Sequence, residues 1–302
     1  MIEKITIIGM GLIGSSIARA IQKNNLAKTL VAADINTDIC HKVVDLGLAD
    51  IVTDELALAV EDADLVVICV PVGAMERVGK SIAGALKQGA IITDTGSSKM
   101  SVIDALKPFC RSGIELVPAH PIAGTEFSGP EAGFAELFED RWCILTPLPE
   151  TDIKAVEQVT KLWEGCGAKV NIMEPEHHDL VLGITSHLPH LIAYTIVGTA
   201  NELSDDIKSE VIKYSASGFR DFTRIAASDP TMWRDVFLNN KEAVLEVLGR
   251  FTEDLTAMQR AIRKGDGDYL YQKLSDTREI RQAIVEQGQA RYISPKGGDS
   301  SD

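Results

Sequence analysis

Short apolar runs alternate with amphipathic stretches through the first half of the chain. Runs at 4–9, 29–33, 65–70, 90–94, 114–118 and 143–146 read as strands, and stretches such as 14–23 and 72–86 as helices. Alternation at this spacing predicts βαβ units and a mostly parallel sheet. The runs lack strict apolar/polar alternation, which fits strands covered on both faces. After about residue 172 helical periodicity takes over, at 178–202, 205–215, 222–227, 231–253 and 255–287. Helices without strands predict a separate all-helical domain. The expected division is 1–172, 173–292 and a disordered tail, 293–302. Broad apolar helix faces predict burial against a second copy, hence a homodimer.

Composition narrows the class. A chain of 302 residues suits two domains, because single cores seldom grow past roughly 250–300 residues. A hydrophobic share of 45% with 25% charged residues is that of a soluble globular protein. The formal charge of −14 argues against a nucleic-acid or anionic-membrane partner. An anionic small molecule would therefore need a local basic pocket. The five cysteines show no CxxC pairing, so neither a disulfide framework nor a zinc site is expected, and a cytoplasmic location fits. The chain opens directly on a strand and a glycine turn, unlike a signal peptide. No stretch of about 18 uninterrupted apolar residues occurs, so no membrane span is expected.

Gly9-Met10-Gly11-Leu12-Ile13-Gly14 is GxGxxG, placed after the first apolar strand and opening a helix. Its glycines permit a tight turn, close backbone approach to a pyrophosphate and helix packing on the sheet. The pyrophosphate would meet the helix N-terminus, where free N–H groups favour anions. Asp34 ends the second strand about 20 residues further on, where an acid binds ribose hydroxyls. No Arg stands beside Asp34 for a 2′-phosphate, so NAD is expected rather than NADP. The blander role of Asp34 is to cap the next helix through Asn36 and Thr37. Together with the strand-end pair Val70-Pro71, these residues form the expected cofactor site of a Rossmann domain.

Three polar clusters offer chemistry. In Asp94-Thr95-Gly96-Ser97-Ser98-Lys99, Ser97 or Ser98 is either a helix N-cap or a site group. His120 opens the loop-like segment His120-Pro121-Ile122-Ala123-Gly124-Thr125-Glu126 at a strand's carboxyl end, where it is placed for proton transfer. The alternative is a surface histidine without a role. In Ser186-His187-Leu188-Pro189-His190, Ser186 and His190 share one helix face, while Pro189 is expected to kink the helix. A metal at His187 and His190 is disfavoured, since no Cys or carboxylate completes a ligand set.

These motifs, with Gly218-Phe219-Arg220-Asp221-Phe222-Thr223-Arg224-Ile225-Ala226 and Asp229-Pro230-Thr231-Met232-Trp233, resemble the prephenate/arogenate dehydrogenase family from residue 2 to about 290. The resemblance implies an N-terminal Rossmann domain, a C-terminal helical dimerisation domain, and NAD-dependent oxidative decarboxylation of prephenate or arogenate in tyrosine biosynthesis. It implies that His120 accepts the ring-hydroxyl proton and that Ser97 contacts that hydroxyl and orients His120. Ser186 and His190 would help bind the substrate, and Arg224 its carboxylate. Glu126 and Asp221 would neighbour the pocket entrance, with Trp233 as a wall. Glu126 or Asp221 could favour the ammonium of arogenate, or be spent on an ion pair.

The other enzyme reading is a β-hydroxyacid dehydrogenase or ketopantoate reductase. Those rest on a helical-domain lysine, where this chain has Ser186 and His190. A non-catalytic NAD-binding protein would not need the His120, Ser186/His190 and Arg224 set. Fused mutase or regulatory domains are not expected.

Overall fold

The computed structural model describes residues 1–125, 127–202 and 217–286. The chain divides into two compact units, Met1–Val247 and the remainder from Leu248. In the first, strands β1 (Ile2–Ile8), β2 (Ala27–Ala33), β3 (Ile51–Thr53), β4 (Leu65–Ile68), β5 (Ile91–Asp94) and β6 (Glu115–Val117) form one sheet. Its order is β3-β2-β1-β4-β5-β6, and every pairing is parallel. That is the doubly wound dinucleotide-binding order, with its switch point between β1 and β4.

The strand sequences explain both faces. Ile5, Ile7, Leu65 and Val67 point into one apolar layer. Ile8, Val66 and Ile68 point into the other. Helices α1 (Leu12–Asn24) and α6 (Ile153–Gly165) cover the first layer with Ile17, Ile21, Val159 and Trp163. Helices α3 (Leu56–Val60), α4 (Met75–Ile82) and α5 (Lys99–Leu106) cover the second with Val60, Met75, Ile82 and Leu106. The short helix α2 (Thr37–Asp45) adds Val43 to the first layer.

A second sheet of three strands follows, with β7 (Ala119–Pro121) antiparallel to β8 (Trp142–Leu145), and β9 (Lys169–Ile172) parallel to β8. The run at 114–118 is expected to be one strand, but β6 stops at Val117, because Pro118 has no N–H to continue the ladder. The chain restarts at once as β7. His120 therefore sits on a paired strand, opposite Ile144, rather than in a loop.

The later chain is helical. Helix α7 (Pro175–Leu182) runs through a π-turn, Gly183–His187, into α8 (Leu188–Asn201). The π-turn lies immediately ahead of Pro189, where a kink is expected; such turns mark functional sites more often than chance. The whole stretch is long and apolar enough to cross a membrane by length and composition alone, a property that counting uninterrupted apolar residues does not register. Its first half is nevertheless tied into the globular unit through His178, Asp179 and His187, all buried.

Helix α9 (Ser217–Thr223) and a 3-10 turn (Arg224–Ala227) precede α10 (Pro230–Asn239), α11 (Lys241–Lys264) and α12 (Gly267–Glu286). The helix expected at 231–253 breaks at Asn240, which leaves helical geometry (φ −115, ψ 38). The break expected near residue 254 is absent, since neither Gly nor Pro stands there. The helix ends instead before Gly265, which adopts φ +67. The expected helix at 205–215, Glu126 and the tail at 293–302 lie outside the described residues.

Candidate active site

The glycine turn is shaped as its sequence requires. Gly9 has φ +93, and a Cβ there would lie 2.7 Å from the Cys69 carbonyl oxygen and 2.9 Å from a Val70 methyl. A Cβ on Gly14 would sit 2.0 Å from the Gly9 carbonyl oxygen. Gly11 meets nothing within 4 Å. So two glycines serve packing, and the third leaves its surface open where α1 begins. Gly11 occupies the N-cap of α1 without a side chain to bond the first-turn amides, which suits an anion. Met10 is fully buried, and Leu12 and Ile13 pack against the core. These three therefore lend backbone to the turn and side chains to the interior.

The half-buried Asp34 accepts hydrogen bonds from the N–H of Met10 (2.9 Å) and of Asn36 (3.0 Å). It braces the turn and does not cap α2, which is capped by the Asn36 side chain. Each carboxylate oxygen keeps a further lone pair for a ribose hydroxyl. Val70 packs on Gly9, and Pro71 is exposed at the carboxyl end of β4. This set fits a dinucleotide.

Next to it lies a buried polar cluster. The Lys99 ammonium, fully buried, donates to the equally buried Asp94 carboxylate and to the Ala119 carbonyl (2.6 Å). Asp94 also accepts from the N–H of Gly96 (2.7 Å) and of Ala119 (3.0 Å). One ion pair thus pins the end of β5, the loop carrying Ser97 and the start of the strand carrying His120.

Ser98 holds the N-cap position of α5 but does not cap it. The Asp179 carboxylate, from α7, accepts instead from the N–H of Lys99 (2.7 Å) and Met100 (2.9 Å). Ser97 is half-buried beside this junction and makes no side-chain hydrogen bond to another described residue.

His120 Nδ1 lies 2.9 Å from His178 Nε2, and His178 Nδ1 lies 2.8 Å from the Asp179 carboxylate. His120 Nε2 makes no hydrogen bond to a described residue. Burial pushes the His120 imidazole well below its ordinary value, reinforced by the neighbouring His178, Lys99 and His187. It is neutral at physiological pH, as a base must be.

His187 follows on the helical side. Its Nδ1 accepts from the Asn240 amide (3.0 Å), which also donates to the Asp179 carbonyl (2.8 Å). Burial lowers His187 to about 4. That amide bridge is what the break at Asn240 provides.

His190 donates through Nδ1 to the Ser186 carbonyl (2.8 Å) and stacks on Trp233, with centroids 3.6 Å apart. Burial lowers its pKa, opposed by the bond to Ser186 and reinforced by the positive charge of Arg224. His190, Ser186, Trp233 and Arg224 are thus neighbours. Trp233 is buried beneath His190 and touches His187 and Phe237. Asp221 is exposed on α9.

Sequence reasoning missed His178, Asp179 and Asn240. The one available signal was His178-Asp179, an imidazole and a carboxylate on consecutive residues of a predicted helix.

The nucleotide-binding half and the helical half each match a family model. Prephenate dehydrogenase, nucleotide-binding domain, covers residues 17–172, and prephenate dehydrogenase, dimerization domain, covers 174–276. The chain is 45% identical to the cyclohexadienyl dehydrogenase of Zymomonas mobilis, over 93% of this chain and 96% of that one. Among solved structures, prephenate dehydrogenase from A. aeolicus, in complex with hydroxyphenyl propionate and NAD+, superimposes with a TM-score of 0.87. It is 35% identical, covering 94% of this chain and 99% of that one. Synechocystis arogenate dehydrogenase gives a TM-score of 0.79 at 26% identity, covering 93% and 99%. With both halves matched in order and a 45% identical relative aligned nearly end to end, the chain belongs to the prephenate dehydrogenase family.

Proposed function

We propose that the protein is an NAD-dependent dehydrogenase that oxidatively decarboxylates prephenate, arogenate or both on the route to tyrosine, with His120 as its base. The observation that carries this reading is His120 itself. It is a buried, neutral imidazole with one ring nitrogen tied inward to His178 and the other without a partner among the described residues, at the carboxyl end of a dinucleotide-binding sheet. The Zymomonas relative is named for the cyclohexadienyl class as a whole, which supports a site that accepts both acids.

NAD, held by the Gly9–Gly14 turn, Asp34 and the Val70-Pro71 strand end, supplies the hydride acceptor. His120 Nε2 takes the proton of the ring hydroxyl as that carbon is oxidised. The ring carboxylate then leaves as CO₂, and its bonding electrons run through the ring to the former hydroxyl oxygen. His120 returns the proton to that oxygen, giving a phenol, so no net proton is consumed. Ser97 lies on the loop that the Asp94–Lys99 pair ties to the start of the His120 strand, and would hold the hydroxyl. Arg224 suits a substrate carboxylate as a bidentate cation, with Ser186 and with His190 braced by Trp233. Asp221 and Glu126 would neighbour the pocket entrance.

Several apolar side chains on α11 and α12 are exposed, among them Leu245, Leu255, Ile262, Tyr271, Leu274 and Ile280. They suit a homodimer built through the helical half, and the reading places the enzyme in the cytoplasm. The functional division is at residues 172–173, with the Rossmann half ahead of it and the substrate and dimerisation half behind.

The test is formation of reduced nicotinamide with prephenate and arogenate side by side, each with NAD and NADP. Turnover of either acid with NAD is expected, and no turnover of any pair would reject the function. His120→Asn should lower kcat by about 10²–10⁴-fold, the usual worth of a positioned base. NAD affinity should stay unchanged; near-normal turnover would remove His120 from its role.

A further inference from the structure

Behind His120 stand two side chains whose hydrogen bonds can be assigned by elimination. A carboxylate only accepts. Asp179 therefore takes the hydrogen on His178 Nδ1, 2.8 Å away, while it also accepts from the N–H of Lys99 and Met100. A neutral imidazole with its hydrogen on Nδ1 carries a lone pair on Nε2. Nε2 of His178 is then the acceptor in the 2.9 Å contact, and Nδ1 of His120 the donor. The His120 lone pair is left on Nε2, the nitrogen without a described partner.

We propose that His178 and Asp179 are positioning residues, which fix His120 in the tautomer with a free Nε2 and stabilise its imidazolium form while it holds the substrate proton. The proposal rests on His120 being the base.

Two further observations support it. Burial lowers the pKa of His178, in line with its neutral form, although its bond to Asp179 acts in the opposite direction. His120 is faced by His178, Lys99 and His187, none of them an anion, and His178 by Asp179, Lys99 and Asp94. A proton arriving on His120 thus meets burial and the Lys99 charge, both unfavourable, and would be repelled by His178 or His187 if either were protonated; neutral His178 instead presents its Nε2 lone pair. The line through His178 to Asp179 offsets them, because the Nδ1–H bond becomes charge-assisted only once His120 is protonated. Asp179 also caps α5, directly after the loop bearing Ser97, so one carboxylate sets both the base and that loop.

Two substitutions separate positioning from packing. His178→Phe keeps a ring but removes the acceptor, whereas His178→Gln offers an amide oxygen to the Nδ1–H of His120. With His178→Phe, kcat should fall by roughly 10²–10³-fold, somewhat less than the loss when a triad's orienting acid is removed. His178→Gln should recover at least about tenfold of that. Substrate KM and NAD affinity should stay within about threefold of wild type in both, since neither side chain would touch a ligand. The acid limb of the kcat–pH profile should move to lower pH in both variants, and further in His178→Phe. The amide oxygen still accepts from His120 but has no Asp179 carboxylate behind it, while the phenyl ring accepts nothing. A packing role would lower activity without moving that limb.

Wild-type kcat in His178→Phe would overturn the proposal, as would equal losses in both variants with an unmoved limb. Melting temperature and NAD binding report folding, and if His178→Phe does not fold, the limb of His178→Gln decides. His120→Asn is measured alongside. Should it retain turnover, the base reading falls; should it lose turnover while His178→Phe keeps it, only the positioning role falls.

Discussion

The cofactor turn and the polar cluster beside it solve opposite problems. In the turn, the polar groups are backbone amides and one half-buried carboxylate, and their partners lie nearby in sequence or at the next strand's end. In the cluster, Asp94, Lys99, His178 and Asp179 are buried and satisfy one another across gaps of up to 80 residues. The first region is built by glycines that remove atoms, and the second by ionisable groups that would each be costly to bury alone. A turn of the first kind survives the loss of one contact. A cluster of the second kind loses the partner and strands what remains. The chemistry sits in the second because a base that must stay neutral, and a tautomer that must not flip, need surroundings that water cannot rearrange.

The harshest way to break this contrast is Lys99→Met. It leaves the Asp94 carboxylate buried with only the N–H groups of Gly96 and Ala119, and the Ala119 carbonyl without its ammonium donor. Folding should be destabilised by about 3–5 kcal/mol, the cost of breaking a buried pair. Activity should fall with it, since Lys99 holds the strand that carries His120 through the Ala119 carbonyl. Lys42→Met removes a bridge to Glu131 whose side chains are both about half-exposed, and should shift the denaturation midpoint little. Similar losses from the two would mean that burial is not what distinguishes the cluster.

Acid is a milder probe of the same cluster. His187 stays neutral in the folded protein down to about 4, against 6.5 for an ordinary imidazole. Between those values the unfolded chain binds the extra proton, so stability is complete above about pH 6.5 and is lost as pH falls toward 4. At about 1.4 kcal/mol per pH unit, His187 alone accounts for a loss on the order of 3 kcal/mol. His120 and His178 shift in the same direction and steepen it. Denaturant titrations across that window measure the slope. His187→Asn, which can still accept from Asn240, should flatten it, and an unchanged slope would place the titration elsewhere.

Much of this was legible beforehand, and the misses share a cause. GxGxxG and Asp34 are local signals, so their place was readable from the chain. Continuous apolar runs announced strands covered on both faces, as Ile7 and Ile8 show by pointing into opposite layers. Local pattern marks His120 but puts it in a loop, because its pairing depends on β8, which begins only at Trp142. Ser98 was a reasonable cap by local rules, and a carboxylate from the helical half takes that duty instead. Asn240 ended a helix without Gly or Pro, because its amide is spent on Asp179 and His187. Periodicity and caps describe neighbours in sequence. A polar cluster drawn from three parts of the chain has no local signature.

The gentlest test asks whether the glycines of the turn divide as their surroundings indicate. A methyl on Gly14 would lie 2.0 Å from the Gly9 carbonyl oxygen and 3.3 Å from an Ile7 methyl, so backbone must move. Gly14→Ala should cost about 1–3 kcal/mol of stability, as overpacking does. A methyl on Gly11 meets nothing within 4 Å, so Gly11→Ala should leave the melting temperature unchanged. It should still weaken NAD about tenfold, the value of one charge-assisted hydrogen bond to the pyrophosphate. Calorimetry with NAD and thermal melts of the two variants give both numbers. If Gly11→Ala binds NAD as well as wild type, the pyrophosphate does not approach that surface, and the open face of Gly11 has some other use. If Gly11→Ala melts as early as Gly14→Ala, the open space around Gly11 does not govern its tolerance. The turn would then be as intolerant of change as the buried cluster, and the contrast between the two regions would fail at its most local point.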